Sequence, residues 1–238
     1  MVTSESDLTH PVDVLCVTVK ATSLNQALTR ISPEVLGSGI IVPFLNGIEH
    51  VEILRSRFPL ATVIPATIRI ETTQRAPGEI EQLSAFAGID LACGLDFNGP
   101  IAQFVDLLCD IGFDVRCRGD ERTMLWEKLG FLAPLALLTT AYDLPAGRVR
   151  LDHRSELMAV IHEITMVANA DGAALDPAKI LLQLDSVSPD MQSSMQRDAR
   201  AGRPYEIEAV GGAIVRSANS YMIAVPATQR LVSNLSPH

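Results

Sequence analysis

The hydrophobic pattern changes period once, near Gly119, and that change constrains the fold more than any other feature of the 238-residue chain. Before it, short β-branched runs alternate with stretches of helical spacing. VDVLCVTV (12–19), GIIVPFL (39–45) and ATVIPATIRIET (61–72) have the character of strands. SLNQALTRI (23–31), with Ser23 placed to cap it, and IEHVEILRSRF (48–58) read as helices. A Pro77-Gly78 turn precedes a strand near 89–94, which is placed to form a hairpin with the segment before it. Residues 100–111 read as a helix and FDVRCR (113–118) as a last strand. Strands alternating with helices predict a parallel, doubly wound sheet. After Gly119 the two-residue period vanishes. ERTMLWEKLGFLAPLALLTTAY (121–142) reads as one long apolar helix, followed by helices over 154–169, 177–184, 203–219 and 226–234. The expected fold class is α/β followed by all-α, with the boundary near Gly119.

A chain that is 47% hydrophobic can bury a real core. The net charge of −9 and the lack of a basic stripe argue against nucleic acid as a partner. The first ten residues, MVTSESDLTH, contain no signal-peptide core, and charges interrupt every apolar run before the roughly 18 residues of a membrane span. A cytoplasmic protein with no membrane partner is expected. The four cysteines, Cys16, Cys93, Cys109 and Cys117, show no C-x-x-C spacing and are expected to be reduced core thiols, with no metal site. None of the histidines (His10, His50, His153, His162 and His238) pairs in a nucleophile pattern, and His162 is expected inside or at the boundary of its helix.

Only three lysines, Lys20, Lys128 and Lys179, stand among sixteen arginines. Lys20 and Asn46 each follow a predicted parallel strand, where ligands sit in open α/β sheets. They suit a phosphate, a nicotinamide or a keto acid; a solvated lysine and an Asn46-Gly47 turn account for them equally well. Lys128 shares a helix face with Leu125, Phe131, Leu132 and Leu135. Such a lysine either snorkels to the surface or is buried, where its pKa falls toward neutrality and it can donate a proton. Pro204 fits a first helical position, which puts Glu206 in the first turn, where its simplest role is a favourable interaction with the helix dipole. Ser194 is placed to cap a short helix.

Taken together, these segments resemble the ketopantoate reductase family. The resemblance rests on PVDVLCVTVKA, IIVPFLNGIE, LWEKLGFLAPLALLTT, SSMQRDARAGRPYEIE and MIAVPATQRLV, in that order, and runs from Pro11 to Leu235. It implies an incomplete Rossmann-like NADP-binding domain over 1–119 and a helical domain over 120–238, with a cleft between them. It implies NADPH-dependent reduction of an α-ketoacid to the 2-hydroxy acid, with Lys128 as proton donor. Lys20, Asn46 and Glu206 would contact NADPH; Asn46, Lys128 and Ser194 would contact substrate. The partner is then a small-molecule α-ketoacid, and a homodimer is the assembly to test. The alternative is a catalytically silent, truncated homologue that acts by binding.

Two departures from the family pattern carry expectations. Where the family places asparagines after the catalytic lysine, this chain has Leu132, Ala136 and Ala146, which predicts a more apolar ketoacid. No G-x-G-x-x-G occurs, since the GSG at 37–39 precedes a strand and lacks the third glycine. The expectation is that a βαβ segment of roughly 50–70 residues precedes Met1 in the complete protein, and that the chain as given binds NADPH weakly or not at all.

Overall fold

A computed structural model describes residues 5–94 and 98–236. The chain divides into two units, one formed by Met1–Val19, Ser23–Leu45 and His50–Met124, the other by Lys20–Thr22, Asn46–Glu49 and Leu125–His238.

In the first unit, β1 (Val14–Val17), β2 (Ile40–Pro43) and β3 (Thr62–Val63) form a parallel sheet in the order β1-β2-β3. Two short helices, α1 (Leu24–Leu28) and α2 (Pro33–Leu36), link β1 to β2, and α3 (His50–Arg57) links β2 to β3. The residues read as one strand over 61–72 are two. Pro65 cannot donate to a ladder, and the chain changes sheet there: β4 (Ala66–Arg69) pairs antiparallel with β7 (Gly88–Leu91). The last strand, β8 (Asp114–Cys117), pairs parallel with β7, giving the order β4-β7-β8. The expected antiparallel pairing of the strand near 89–94 with the segment before it is thus present, but a further hairpin, β5 (Thr72–Ala76) and β6 (Glu79–Gln82) around Gly78 at φ 82°, is inserted between the two strands. Helix α4 (Pro100–Asp110) lies between β7 and β8 in sequence and buries Phe104, Val105 and Leu108 against Ile40, Val42, Ile64, Ala66, Ile89 and Leu91. This single cluster serves both three-stranded sheets. Asp90 is buried in β7 and takes Arg69 at 2.7 Å and Arg116 at 2.9 Å. Burial pushes its carboxyl pKa up, but the two guanidinium groups outweigh that and hold it below the usual carboxylate range.

The second unit is helical, as the loss of period two predicts. It comprises α5 (Glu121–Tyr142), which begins in the first unit, then α6 (Ala146–Asp152), α7 (Arg154–Ala170), α8 (Pro177–Ser186) and α9 (Ser194–Arg200). A π-helical turn (Glu208–Gly212) leads into α10 (Ala213–Ser220), and α11 (Pro226–Leu235) follows. The core of this unit gathers Trp126, Leu129 and Leu137 of α5, Val160, Ile161 and Ile164 of α7, and Ile214 and Leu231 further on. Among the described residues no single helix is long and apolar enough to cross a membrane; α5 and α6 meet that test only as a pair bent by 84°. His162 lies inside α7, as expected, on its exposed side, and its neighbour Glu163 is the buried residue. The thiols also differ from expectation: Cys16 and Cys109 are exposed, and Cys93 and Cys117 only partly buried. His238 lies outside the described residues.

Candidate active site

Two turns that follow parallel strands, Lys20–Thr22 after β1 and Asn46–Glu49 after β2, belong to the helical unit. Their partners are there. Glu206 accepts from the Ala21 backbone N–H at 2.8 Å through one carboxylate oxygen and from Asn46 Nδ2 at 2.9 Å through the other. One side chain thus ties the first turn to the second. Asn46 Oδ1 has no hydrogen-bond partner among the described residues, which leaves it as an acceptor. Lys20 Nζ lies 2.5 Å from Asp198 Oδ2 in an ion pair whose lysine side chain is 47% exposed and whose aspartate is 10% exposed. Arg203 bonds the other Asp198 oxygen at 3.0 Å. An exposed ammonium on a buried, shared carboxylate is held in place yet still accessible.

The Asn46 turn is locked by sterics as well. Gly47 sits at φ 87°, and a Cβ there would overlap the carbonyl oxygen of Ala209 in the π-helical turn. Only glycine allows that approach and that backbone conformation. Arg216 of α10 reaches Glu49 through two bonds of 2.8 Å and also bonds Glu208. A π-turn widens the helix locally, and here it lies just after Glu206. The helix expected over 203–219 begins only at Ile207, so Glu206 precedes the first turn rather than lying in it. Its carboxylate serves Ala21 and Asn46, and the dipole account is superseded.

Lys128 is half-buried on α5, between buried Leu125 and Leu129. One turn on, Leu132 is half-buried too, whereas Ala136 and Ala146 are 1% and 2% exposed within the helical core. Ser194 is exposed, and its hydroxyl makes no hydrogen bond among the described residues. The cap of α9 is Ser193, whose Oγ accepts from Gln196 N–H at 3.0 Å and meets Thr139 Oγ1 of α5 at 2.8 Å. Ser194 is thereby released from the capping role that the sequence suggested. The structure brings Lys20, Asn46 and Glu206 into two hydrogen-bonded sets; Lys128 stands on α5 and Ser194 on α9. Asp198, Arg216 and Glu49 escaped the sequence reading, whereas Gly47 was marked there as a turn after Asn46. The one local signal for them was the glycine after Asn46.

Comparison with known proteins follows from this geometry. The family described as "Ketopantoate reductase PanE/ApbA" matches residues 1–93, and "Ketopantoate reductase PanE/ApbA C terminal" matches residues 120–238. A 2-dehydropantoate 2-reductase of Mycobacterium tuberculosis is 31% identical over 245 residues, covering 98% of this chain and 79% of that protein. The ketopantoate reductase structure from Ralstonia eutropha superposes with a TM-score of 0.82 at 24% identity, covering 94% of this chain and 74% of that one. D-mandelate dehydrogenase in complex with NADH and anilino(oxo)acetate superposes with a TM-score of 0.86 at 19% identity, covering 96% and 77%.

Proposed function

Because the chain belongs to the ketopantoate reductase family, we propose that it serves NADPH-dependent reduction of an α-ketoacid to the 2-hydroxy acid. The observation that carries this is the double engagement of Glu206, which holds the Asn46 carboxamide and the Ala21 backbone together. The donor set fits the polar end of a nicotinamide cofactor: Lys20 presents a positive charge, and Asn46 presents a free amide acceptor. Lys20, Asn46 and Glu206 are the residues that would hold it. When bound, a reduced nicotinamide supplies the hydride. For the pyrophosphate the sequence offers no G-x-G-x-x-G turn.

The chain's own residues do the rest. Reduction builds negative charge on the substrate carbonyl oxygen. The ammonium of Lys128 stabilises that charge and holds the proton that completes the hydroxyl. The Ser194 hydroxyl, with no hydrogen-bond partner among the described residues, is available to the substrate carboxylate, and Asn46 orients the α-keto group. Glu206 and Asp198 keep Asn46 and Lys20 from rotating away, so little ordering is required when ligand arrives. The second reading is a silent homologue that acts by binding. Turnover separates the two: oxidation of NADPH or NADH on addition of an α-ketoacid supports the reductase, and no turnover across an α-ketoacid panel supports the alternative.

The substrate follows from α5. Leu132, one turn beyond Lys128, cannot hydrogen-bond a hydroxyl, and Ala136 and Ala146 are enclosed by core residues. An apolar site discriminates among side chains by roughly 10–200-fold per contact. We expect aliphatic or aromatic α-ketoacids to exceed ketopantoate in kcat/KM by at least about tenfold, and Leu132→Asn to narrow that gap. A panel assay with NADPH and NADH decides it; a wide margin in favour of ketopantoate defeats the assignment.

A further inference from the structure

None of the four cysteines takes part in the proposed reaction, yet the fold gathers three of them where β7, β8 and α4 end. Cys117 closes β8, and its ladder partner is Leu91 at the end of β7. Cys93 follows two residues later, and Cys109 is on α4, which packs against β8. Neither Cys93 nor Cys117 is fully enclosed, and both rest on the apolar cluster beneath α4.

The backbone explains how Cys93 comes to face Cys117. In the parallel ladder, Asp114 N–H donates to the Ala87 carbonyl at 2.9 Å and Arg118 N–H to the Leu91 carbonyl at 2.8 Å. A regular ladder would next place Cys93 N–H on the Arg118 carbonyl. Gly94 N–H takes that bond instead, at 3.1 Å, with Gly94 at φ 72°. One extra residue is therefore inserted on the β7 side, as in a β-bulge, a device that re-aims a side chain. The Cys93 sulfur lies 3.7 Å from the carbonyl of Leu91, the residue opposite Cys117. Burial, with a smaller contribution from the neighbouring Cys93 thiol, pushes the Cys117 thiol up to about 12. Backbone bonds on both sides of the pair, Arg118 to Leu91 and Gly94 to Arg118, hold it in register. Cys109 is close enough for its charge to act on Cys117, and it is exposed.

We propose that Cys93 and Cys117 form a reversible dithiol–disulfide pair, oxidised by a peroxide, that joins the end of β7 covalently to the end of β8. The Cys93 sulfur attacks the peroxide, the O–O bond breaks, one oxygen remains on sulfur as a sulfenic acid, and the other leaves as water. The Cys117 sulfur then displaces that oxygen. The S–S bond forms, the S–O bond breaks, and a second water carries away the Cys117 proton. Each sulfur is oxidised by one electron and the peroxide is reduced by two. Its high pKa leaves Cys117 little thiolate, so Cys93 attacks the peroxide first and the Cys117 step, which also needs thiolate, is the slower of the two. The bridge would span neighbouring strands, with Cys93 two residues beyond the ladder partner of Cys117 and both side chains packed on the same apolar cluster. A small thiol reverses it by exchange.

The test does not depend on the reductase assignment. The full chain, reduced and freed of reductant, is treated with hydrogen peroxide, alkylated with N-ethylmaleimide, digested without reduction and analysed by mass spectrometry. The expected result is a peptide pair linked through Cys93 and Cys117, an intact mass lower by two hydrogens, and reversal by dithiothreitol. Cys109→Ser should keep the linked pair; Cys93→Ser and Cys117→Ser should each abolish it. Recovery of both Cys93 and Cys117 as alkylated thiols after peroxide, or linkage only through Cys109, overturns the proposal. The linked peptide is read in the unaltered protein, so the outcome does not hinge on how any variant folds.

Discussion

Lys128→Ala should lower kcat for ketoacid reduction by about 10²–10⁴, the range expected for loss of a general acid. Lys128 is the one lysine on the apolar face of α5, half-buried between Leu125 and Leu129 with Leu132 one turn on. Charge on the substrate oxygen exists only as the hydride arrives, so the contribution of Lys128 is concentrated in the transition state. The loss should therefore appear in kcat more than in KM. Lys128→Arg sharpens the test. Arginine keeps the positive charge but does not release a proton near neutral pH, so a partial rescue measures the electrostatic share and the remaining deficit measures proton donation. Circular dichroism and dinucleotide binding of each variant separate a catalytic loss from unfolding. Near-normal turnover of Lys128→Ala on the best substrate of the panel removes Lys128 from the proton-donor role while leaving the reductase assignment intact.

The second large effect concerns stability. Glu163 is 6% exposed in the middle of α7, and its carboxylate accepts from Ala227 N–H at 2.9 Å, Thr228 N–H at 2.8 Å and Thr228 Oγ1 at 2.7 Å. These donors form the first turn of α11, whose own cap residue, Val225, has no polar side chain to offer. A carboxylate from another helix does the work of an N-cap, and it meets the positive end of the helix dipole. Glu163→Ala leaves two buried backbone donors and a buried hydroxyl without an acceptor, at about 1–3 kcal/mol each. Allowing for relaxation and water entry, a loss of about 3–5 kcal/mol in unfolding free energy is expected, a large part of the stability of an ordinary domain. Glu163→Gln keeps the shape and one acceptor oxygen and should lose less. Urea unfolding of the three proteins measures the order; a change within about 1 kcal/mol for Glu163→Ala would show that the capping account is wrong.

Some of this was legible in the chain before any coordinates. The 22-residue helix over Glu121–Tyr142 coincides with the run marked out by its apolar character, and α8 starts at the proline that announces it. The position of Asn46 after β2 and of Lys20 after β1 likewise came from pattern alone. Boundaries that depend on a single competing group were less legible. The segment over 61–72 has the composition of one strand, yet Pro65 interrupts its ladder and the two halves join different sheets. Ser193 and Ser194 are equally good caps by residue type; what selects Ser193 is a contact with Thr139 on another helix.

That contrast has one physical origin. Element type follows from period and local propensity, which act over a few neighbouring residues, so the order of strands and helices is written in the chain itself. Which donor meets which acceptor is set when the elements pack, because a buried polar group accepts any partner of the right chemistry that packing brings within 3 Å. Lys20 and Asp198 are 178 positions apart, Asn46 and Glu206 160, and Glu163 and Thr228 65. No local pattern carries those pairings. Lys20, Asn46 and Glu206 could be nominated from the sequence but Asp198 could not; the arrangement, with one carboxylate holding two turns and another holding a lysine, came only from folding.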